Sequence, residues 1–336
     1  MSRNCDAVRE LKKSLIALNI LLVFVAVFIA LSVGPTKIDG FFQQLMQPGS
    51  NEILWQIRFP RVIAAVIAGA AFGVAGLMAQ GASNNALAEP SILGTSSGAA
   101  LGAVIAILFG LAQVGSIAAT ISGVIGALLA TALTLKLASL RGNLSSFALI
   151  IVGIAVSATL SAIVGLTSAM ITQADARSIS FWNFGSLALI TYENLVGVAA
   201  TTLIGLGIAW KVAPSLDRLS FGDDTAFHLG INVVKARWLA LVALSLLAGG
   251  AVSTVGIIGF IGLAAPHIAR FIYGPSHRLL VIQSALIGSL VIVFADTLAR
   301  SIAAPNELSI GLITSLLGAP ILIALVSIKN NVWRVQ

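Results

Sequence analysis

Only 9% of this 336-residue chain is charged, so the few ionisable side chains set inside apolar stretches are the first candidates for chemistry. Asp296, His267 and Glu307 are three such groups, and ionisable groups within a membrane could relay protons. Asp223 and Asp224 stand side by side, yet no second acidic motif exists to complete a Mg²⁺–diphosphate site. The hydroxyls of Gly94-Thr-Ser-Ser-Gly98 lack a histidine at matching depth to act as base. No GxxxxGK[ST] occurs and no glycine is followed by lysine, so there is no loop to cradle nucleotide phosphates. His228, His267 and His277 form no ligand set, and the lone Cys5 excludes a disulfide or cysteine-held metal; the expectation is no metal site and no catalytic residue.

These groups must be positioned by lipid-embedded helices. With 58% hydrophobic residues and 32 glycines, the chain reads as an all-α polytopic membrane protein. Its net charge of +7 does not point to nucleic acid, because Lys and Arg sit singly between apolar spans. At roughly 20 apolar residues per crossing, ten spans are expected: 15–33, 62–80, 92–111, 116–137, 145–171, 187–211, 236–257, 260–273, 279–299 and 309–328. The eighth is too short to cross fully. The first resembles a signal peptide, but it is about a full span long with no small-residue cleavage site, which implies a retained helix. With the N-terminus inside, fourteen of the 19 Lys and Arg fall on the cytoplasmic side, leaving Lys37, Arg58, Arg61, Arg177 and Arg300 outside. Both termini are then cytoplasmic, in a single membrane domain covering 1–336.

Sliding the chain on itself by 176 residues aligns Arg61 with Arg237, Gly73 with Gly249, Leu87 with Leu263 and Pro90 with Pro266. Spans two and seven differ by five crossings, so the copies point in opposite directions: an inverted repeat of spans 2–5 and 7–10. Small residues four apart, Gly69 and Gly73 in span two and Gly153, Ser157, Ser161 and Gly165 in span five, mark helix faces that pack closely or line a path.

The longest polar interruption, 211–237, carries Asp217, Arg218, Asp223, Asp224, His228 and Lys235 and must lie outside the lipid. It reads as a cytoplasmic docking surface.

Five blocks, taken in order, resemble one family. They are Arg58-Phe-Pro-Arg61, the run 85–94 (NALAEPSILG), the loop 222–230 (GDDTAFHLG), the run 259–267 (GFIGLAAPH) with Arg270, and Glu307-Leu-Ser-Ile-Gly311 followed by Leu317-Gly-Ala-Pro320. Together they look like the FecCD/BtuC family of permeases from type II ATP-binding-cassette importers. The first fifty residues match only as a first helix.

The resemblance implies a bacterial cytoplasmic-membrane complex of two permease subunits, identical or not, two cytoplasmic ATPases and an extracytoplasmic binding protein. The cargo would be an iron–siderophore, haem or cobalamin, carried whole and needing no protein ligand. ATP and Mg²⁺ would belong to the partner ATPase, so this chain is not itself an enzyme. The ATPase-coupling loop maps onto Leu219, Phe221, Gly222, Asp223, Asp224, Phe227, His228, Leu229 and Gly230, whose acids can meet basic groups and whose aromatics can fill an apolar groove. Binding-protein docking maps onto Arg58, Arg61 and Arg300, since arginine grips carboxylates with a planar fork. The other reading of these arginines is snorkelling at helix ends, with Asp296 four residues before Arg300 as its helical partner. The family's path between spans five and ten maps onto Ser157, Ser161, Gly165, Ser168, Trp182, Glu307, Gly311 and Thr314. His267 reads as a packing residue beside Pro266. The alternative is a proton-coupled secondary transporter using Asp296, His267 and Glu307, which leaves the 211–237 segment unexplained.

Overall fold

The structure, a computed structural model, describes residues 2–113, 116–140, 146–169, 184–188, 190–304 and 306–320. Among them every regular element is helical. Helix α1 (Ser2–Ser32) and the short α2 (Phe41–Leu45) precede a π-helical turn, Ile53–Arg58, that runs straight into α3 (Phe59–Ser83). Then come α4 (Thr95–Leu108), α5 (Ile117–Ala138), α6 (Ser146–Ala169) and α7 (Tyr192–Leu219). The chain continues with α8 (Asp223–His228), α9 (Val233–Val255), α10 (Ile261–Tyr273), α11 (His277–Ile302) and α12 (Ile310–Pro320).

Among the described residues, seven helices are long and apolar enough to cross a membrane: α1, α3 with its π turn, α5, α6, α7, α9 and α11. Shorter apolar helices α4 and α12 take the places of the third and tenth expected spans. Helix α10, at the eighth, has 13 residues. At 1.5 Å per residue it covers about 20 Å of a hydrocarbon core roughly 30 Å thick. Each of the ten expected spans thus has its helix. The sixth differs in its end: α7 continues past 211 through Pro214 to Leu219, so much of the expected loop is helix.

Helices α3 and α9 form the centre, each mostly enclosed by its neighbours, whereas α1 and α6 are peripheral and largely exposed. The first turns of α9 lie beside the last turn of α3, where Arg237 Nε donates to the Ala82 carbonyl at 3.1 Å, so the two helices run in opposite directions. Helix α3 packs on α11 and α10, and α9 packs on α5 and α4. Each half of the chain therefore builds its central helix into the other half. Backbone contact makes this possible: a Cβ on Gly69 of α3 would overlap the Gly288 carbonyl of α11. Buried hydroxyls add cross-links, with Thr131 of α5 2.8 Å from Thr95 of α4 and 3.3 Å from Ser245 of α9.

The 176-residue offset holds for two of its four pairs. Arg61 and Arg237 both lie near the start of a central helix, and Gly73 and Gly249 both sit at crossings, against Ser284 of α11 and Val124 of α5. Pro90 and Leu87, however, lie in a connection, whereas Pro266 and Leu263 lie inside α10. The connection 84–94 is longer than 256–260, and that difference breaks the register.

Candidate functional site

At one end of the bundle the structure gathers Arg58, Arg61, Asp296, Arg300 and Glu307. Arg61, in the first turn of α3, directs its fork at α11: Nε and Nη2 lie 2.9 and 2.8 Å from Asp296 Oδ1, and Nη1 donates to Glu307 Oε1 at 2.8 Å. Asp296 is 1% exposed. Arg58, aimed by the π turn, donates Nη1 to the carbonyls of Leu31 and Ser32 at 2.8 and 3.1 Å and Nη2 to Thr36. Arg300 Nη2 donates to the carbonyl of Ala30. Two guanidiniums thus satisfy the last carbonyls of α1, where the helix dipole favours positive charge. Three arginines against two carboxylates leave one excess positive charge.

This arrangement buries all three arginines on partners from the chain itself. It also reorders the pairings. The helical neighbours Arg300 and Asp296 approach only to 3.6 Å, leaving Arg300 Nε and Asp296 Oδ2 without a hydrogen bond, while the close partner of Asp296 is Arg61, 235 residues away.

The residues expected along a path separate into two groups. Ser157 donates to the Ser91 carbonyl at 2.5 Å and Ser161 meets Ser97 at 3.0 Å, so they fasten α6 to the segment leading into α4 and to α4 itself. Thr314 is buried and bonded to the Gly311 carbonyl, and Gly311 N donates to Phe184 at 3.2 Å. These are packing contacts, and Glu307 is held by Arg61. Gly165 has open space around it, and Ser168 is half-buried with its hydroxyl bonded back to Val164. Trp182 lies outside the described residues.

At the opposite end, α7 gives way after Leu219 to a turn and to α8. Leu219 and Ala226 are buried and pin this segment to the bundle. Phe221, at 71% exposure, Phe227, at 70%, and Leu229 face outward, with Asp224 and His228 also exposed. Gly222 and Gly230 take positive φ, 97° and 78°, at the two ends of α8, where a side chain would be strained. Two of these residues also have partners within the chain. Leu219 faces the core, and Asp223 meets Arg237 of α9 in a two-point pair at 2.8 Å for each bond. Arg237 in turn holds the end of α3.

Three features were missed from sequence. Asp217 accepts from the His277 backbone N–H and ring Nδ1 at 2.8 and 2.7 Å, closing α7 onto the start of α11. Arg270 donates to Gln80 at 3.1 Å, and Gln80 Nε2 lies 3.5 Å from the Gly262 carbonyl, four residues before Pro266, which has no N–H to offer it. Glu89, in the 84–94 connection, accepts the N–H of Phe260 at 2.9 Å. Phe260 has a left-handed φ of 67°, so this carboxyl steadies a strained turn of the other half. The wide separations, 60, 190 and 171 residues, left no local signal.

Helices of this length, apolarity and exchanged packing, with polar clusters at both ends, define a multi-span helical membrane protein. The chain belongs to the FecCD transport family, whose model matches residues 20–327. It is 36% identical over 311 residues to the hemin transport system permease protein HmuU of Yersinia pestis, covering 90% of this chain and 92% of that one. It is 36% identical to the vitamin B12 import system permease protein BtuC of Vibrio cholerae, covering 81% and 82%. The iron(3+)-hydroxamate import system permease protein FhuG of Bacillus subtilis is 35% identical, covering 94% and 96%. A solved structure described as an inward-facing, metal-chelate type ABC transporter superposes with a TM-score of 0.81 at 28% identity, over 94% of this chain and 99% of that one.

Proposed function

We propose that this chain is the membrane-spanning permease subunit of an ATP-binding-cassette importer for a metal chelate, with an iron–siderophore as cargo. The observation that carries it is the segment 219–230, an outward-facing apolar tip, Phe221, Phe227 and Leu229, on a base held to α3 and α9 by Asp223 and Arg237. Such a tip suits insertion into a groove of a partner protein, and relatives are named as permease proteins and as a transporter of the ATP-binding-cassette type, which supports an ATPase as that partner. The hemin and iron(3+)-hydroxamate relatives support iron chelates as the cargo class.

In this reading the Asp223 end faces the cytoplasm, both termini lie there, and the complex sits in a bacterial inner membrane. Two permease subunits would pair with two ATPases, which bind the ATP and Mg²⁺, and an extracytoplasmic binding protein would deliver cargo to the Arg61 end. ATP-driven closure of the ATPases would push on the tips, and α6 and α12 would respond by opening to one side or the other. The arginine cluster would shape the docking end from within, since its guanidiniums are turned inward. The proton-coupled alternative fares poorly: Asp296 and Glu307 are engaged with Arg61, and His267 Nδ1 lies 2.8 Å from the Leu263 carbonyl.

The test is uptake into right-side-out vesicles loaded with ATP and containing this chain with its companion ATPase, offered the binding protein and labelled ferric siderophore, haem or cobalamin in parallel. Uptake of ferric siderophore that requires ATP and the binding protein is expected. Uptake driven by a proton gradient without ATP would overturn the reading.

A further inference from the structure

On the flank of the Asp223 end, the last turn of α5 and the first turns of α9 enclose a groove of about 470 Å³. Its floor is apolar, formed by Ala132 and Leu135 of α5 and Leu241 of α9. Its mouth carries Lys136 and Trp238, both exposed, with Arg237 on the wall. The two cations differ in their circumstances. The charge of Arg237 is balanced by Asp223, whereas among the described residues no carboxylate pairs with Lys136. The mouth therefore holds an excess positive charge directly above a slot cut into two membrane-crossing helices.

We infer that this groove is a binding site for one anionic phospholipid, its phosphate at Lys136 and an acyl chain along Leu135 and Leu241. The inference rests on the orientation proposed above, which puts this end at the cytoplasmic leaflet. A floor within membrane-crossing helices is reached from the lipid, which favours an acyl chain over a soluble ligand. Trp238 is of the type that settles at headgroup level, and a basic mouth between spans on this side suits an anionic headgroup. The consequence reaches the proposed coupling segment: a phosphate at the mouth lies beside the Asp223–Arg237 pair and draws on the same guanidinium, so occupancy bears on how firmly α8 is held.

The test is native mass spectrometry of the full chain, purified in a neutral detergent and supplied with dioleoyl phosphatidylglycerol or dioleoyl phosphatidylcholine. Preferential retention of a single phosphatidylglycerol is expected. Removing one lysine near the surface weakens such binding about fivefold, so Lys136→Gln is expected to lose most of the preference and Lys136→Arg to keep it. Trp238→Leu provides a second, charge-neutral variant and is expected to shorten retention of both lipids. Lys37→Gln, at the opposite end, is expected to change nothing. Equal retention of the two lipids, equal losses in Lys136→Gln and Lys37→Gln, or displacement by glycerol 3-phosphate at the lipid's own concentration would each overturn the proposal. Neither ATPase nor cargo enters the measurement, so its failure is distinct from failure of the importer reading.

Discussion

The Arg61 guanidinium and the Asp296 carboxylate join the two halves of the chain through a single oxygen, Oδ1, which takes both Nε and Nη2. Asp296 is almost wholly enclosed, and its other oxygen has no hydrogen-bond partner. Removing one member of a buried pair costs about 3–5 kcal/mol where the other is left alone, and here Arg61 would keep only Glu307, which is partly exposed. Asp296→Ala is expected to lower the thermal midpoint of the purified protein sharply. The double variant Arg61→Met, Asp296→Leu should recover much of the loss. A double variant no better than either single one would mean that the pair is not the unit of stability.

Glu89 makes a second bond between the halves, and its protonation state is open to titration. Burial pushes its carboxyl above the ordinary range, opposed by the Phe260 N–H and the Ser91 side chain. A raised folded-state value means that the folded protein holds the proton more tightly. The Glu89 contribution to stability is therefore fully present at low pH and is lost as pH rises from the ordinary carboxylate range through the raised value. Glu89→Gln still accepts the N–H and is expected to flatten that slope. Glu89→Ala leaves the N–H unmet and should cost about 1–3 kcal/mol at every pH. Unfolding curves at several pH values separate the two, and an unchanged slope in Glu89→Gln would dismiss the assignment.

Two glycines of similar sequence context should behave oppositely. Gly69→Leu drives a side chain into the Gly288 backbone, and overpacking of this kind typically costs about 1–3 kcal/mol. Gly165→Ala meets open space on α6 and should stabilise that helix by up to about 1 kcal/mol. Thermal midpoints in one detergent decide, and a neutral Gly69→Leu would contradict the close crossing.

The exposed tip and its base are separable by mutation. Phe227→Asp is expected to abolish ATP-dependent uptake while leaving stability within about 0.5 kcal/mol, because the side chain touches little of this chain. Asp223→Asn loosens a half-exposed pair worth about 0.2–1 kcal/mol and should weaken coupling without abolishing it. Uptake and ATPase activity in reconstituted vesicles are the readouts; full coupling in Phe227→Asp would remove the tip from the mechanism.

Much of the architecture was legible because lipid imposes a uniform demand: every span must be a helix, and apolar length announces it. The ten expected spans each found a helix for that reason. The repeat was legible where it concerned helix crossings, at Arg61, Arg237, Gly73 and Gly249, since a crossing requires a small residue at a fixed depth. It failed at Pro90 and Pro266, because connections of unequal length answer to no such demand. The site was less legible. Charge counting put Arg58, Arg61 and Arg300 on one side together, and the structure gathers them at one end of the bundle, but it could not tell a guanidinium facing water from one folded back onto a helix terminus. Local spacing pointed to Asp296 as partner of Arg300, and a contact 235 residues away took that carboxylate instead.

The exchange of central helices also bears on how the protein is made. When α3 leaves the ribosome and enters the membrane, neither α11, against which it packs, nor Asp296, which answers Arg61, has yet been synthesised. A helix with a cation near one end and bare glycines along its flank must wait until the C-terminal third arrives. The first half is thus an incomplete object by construction, and consolidation of the whole bundle belongs to the last stage of synthesis.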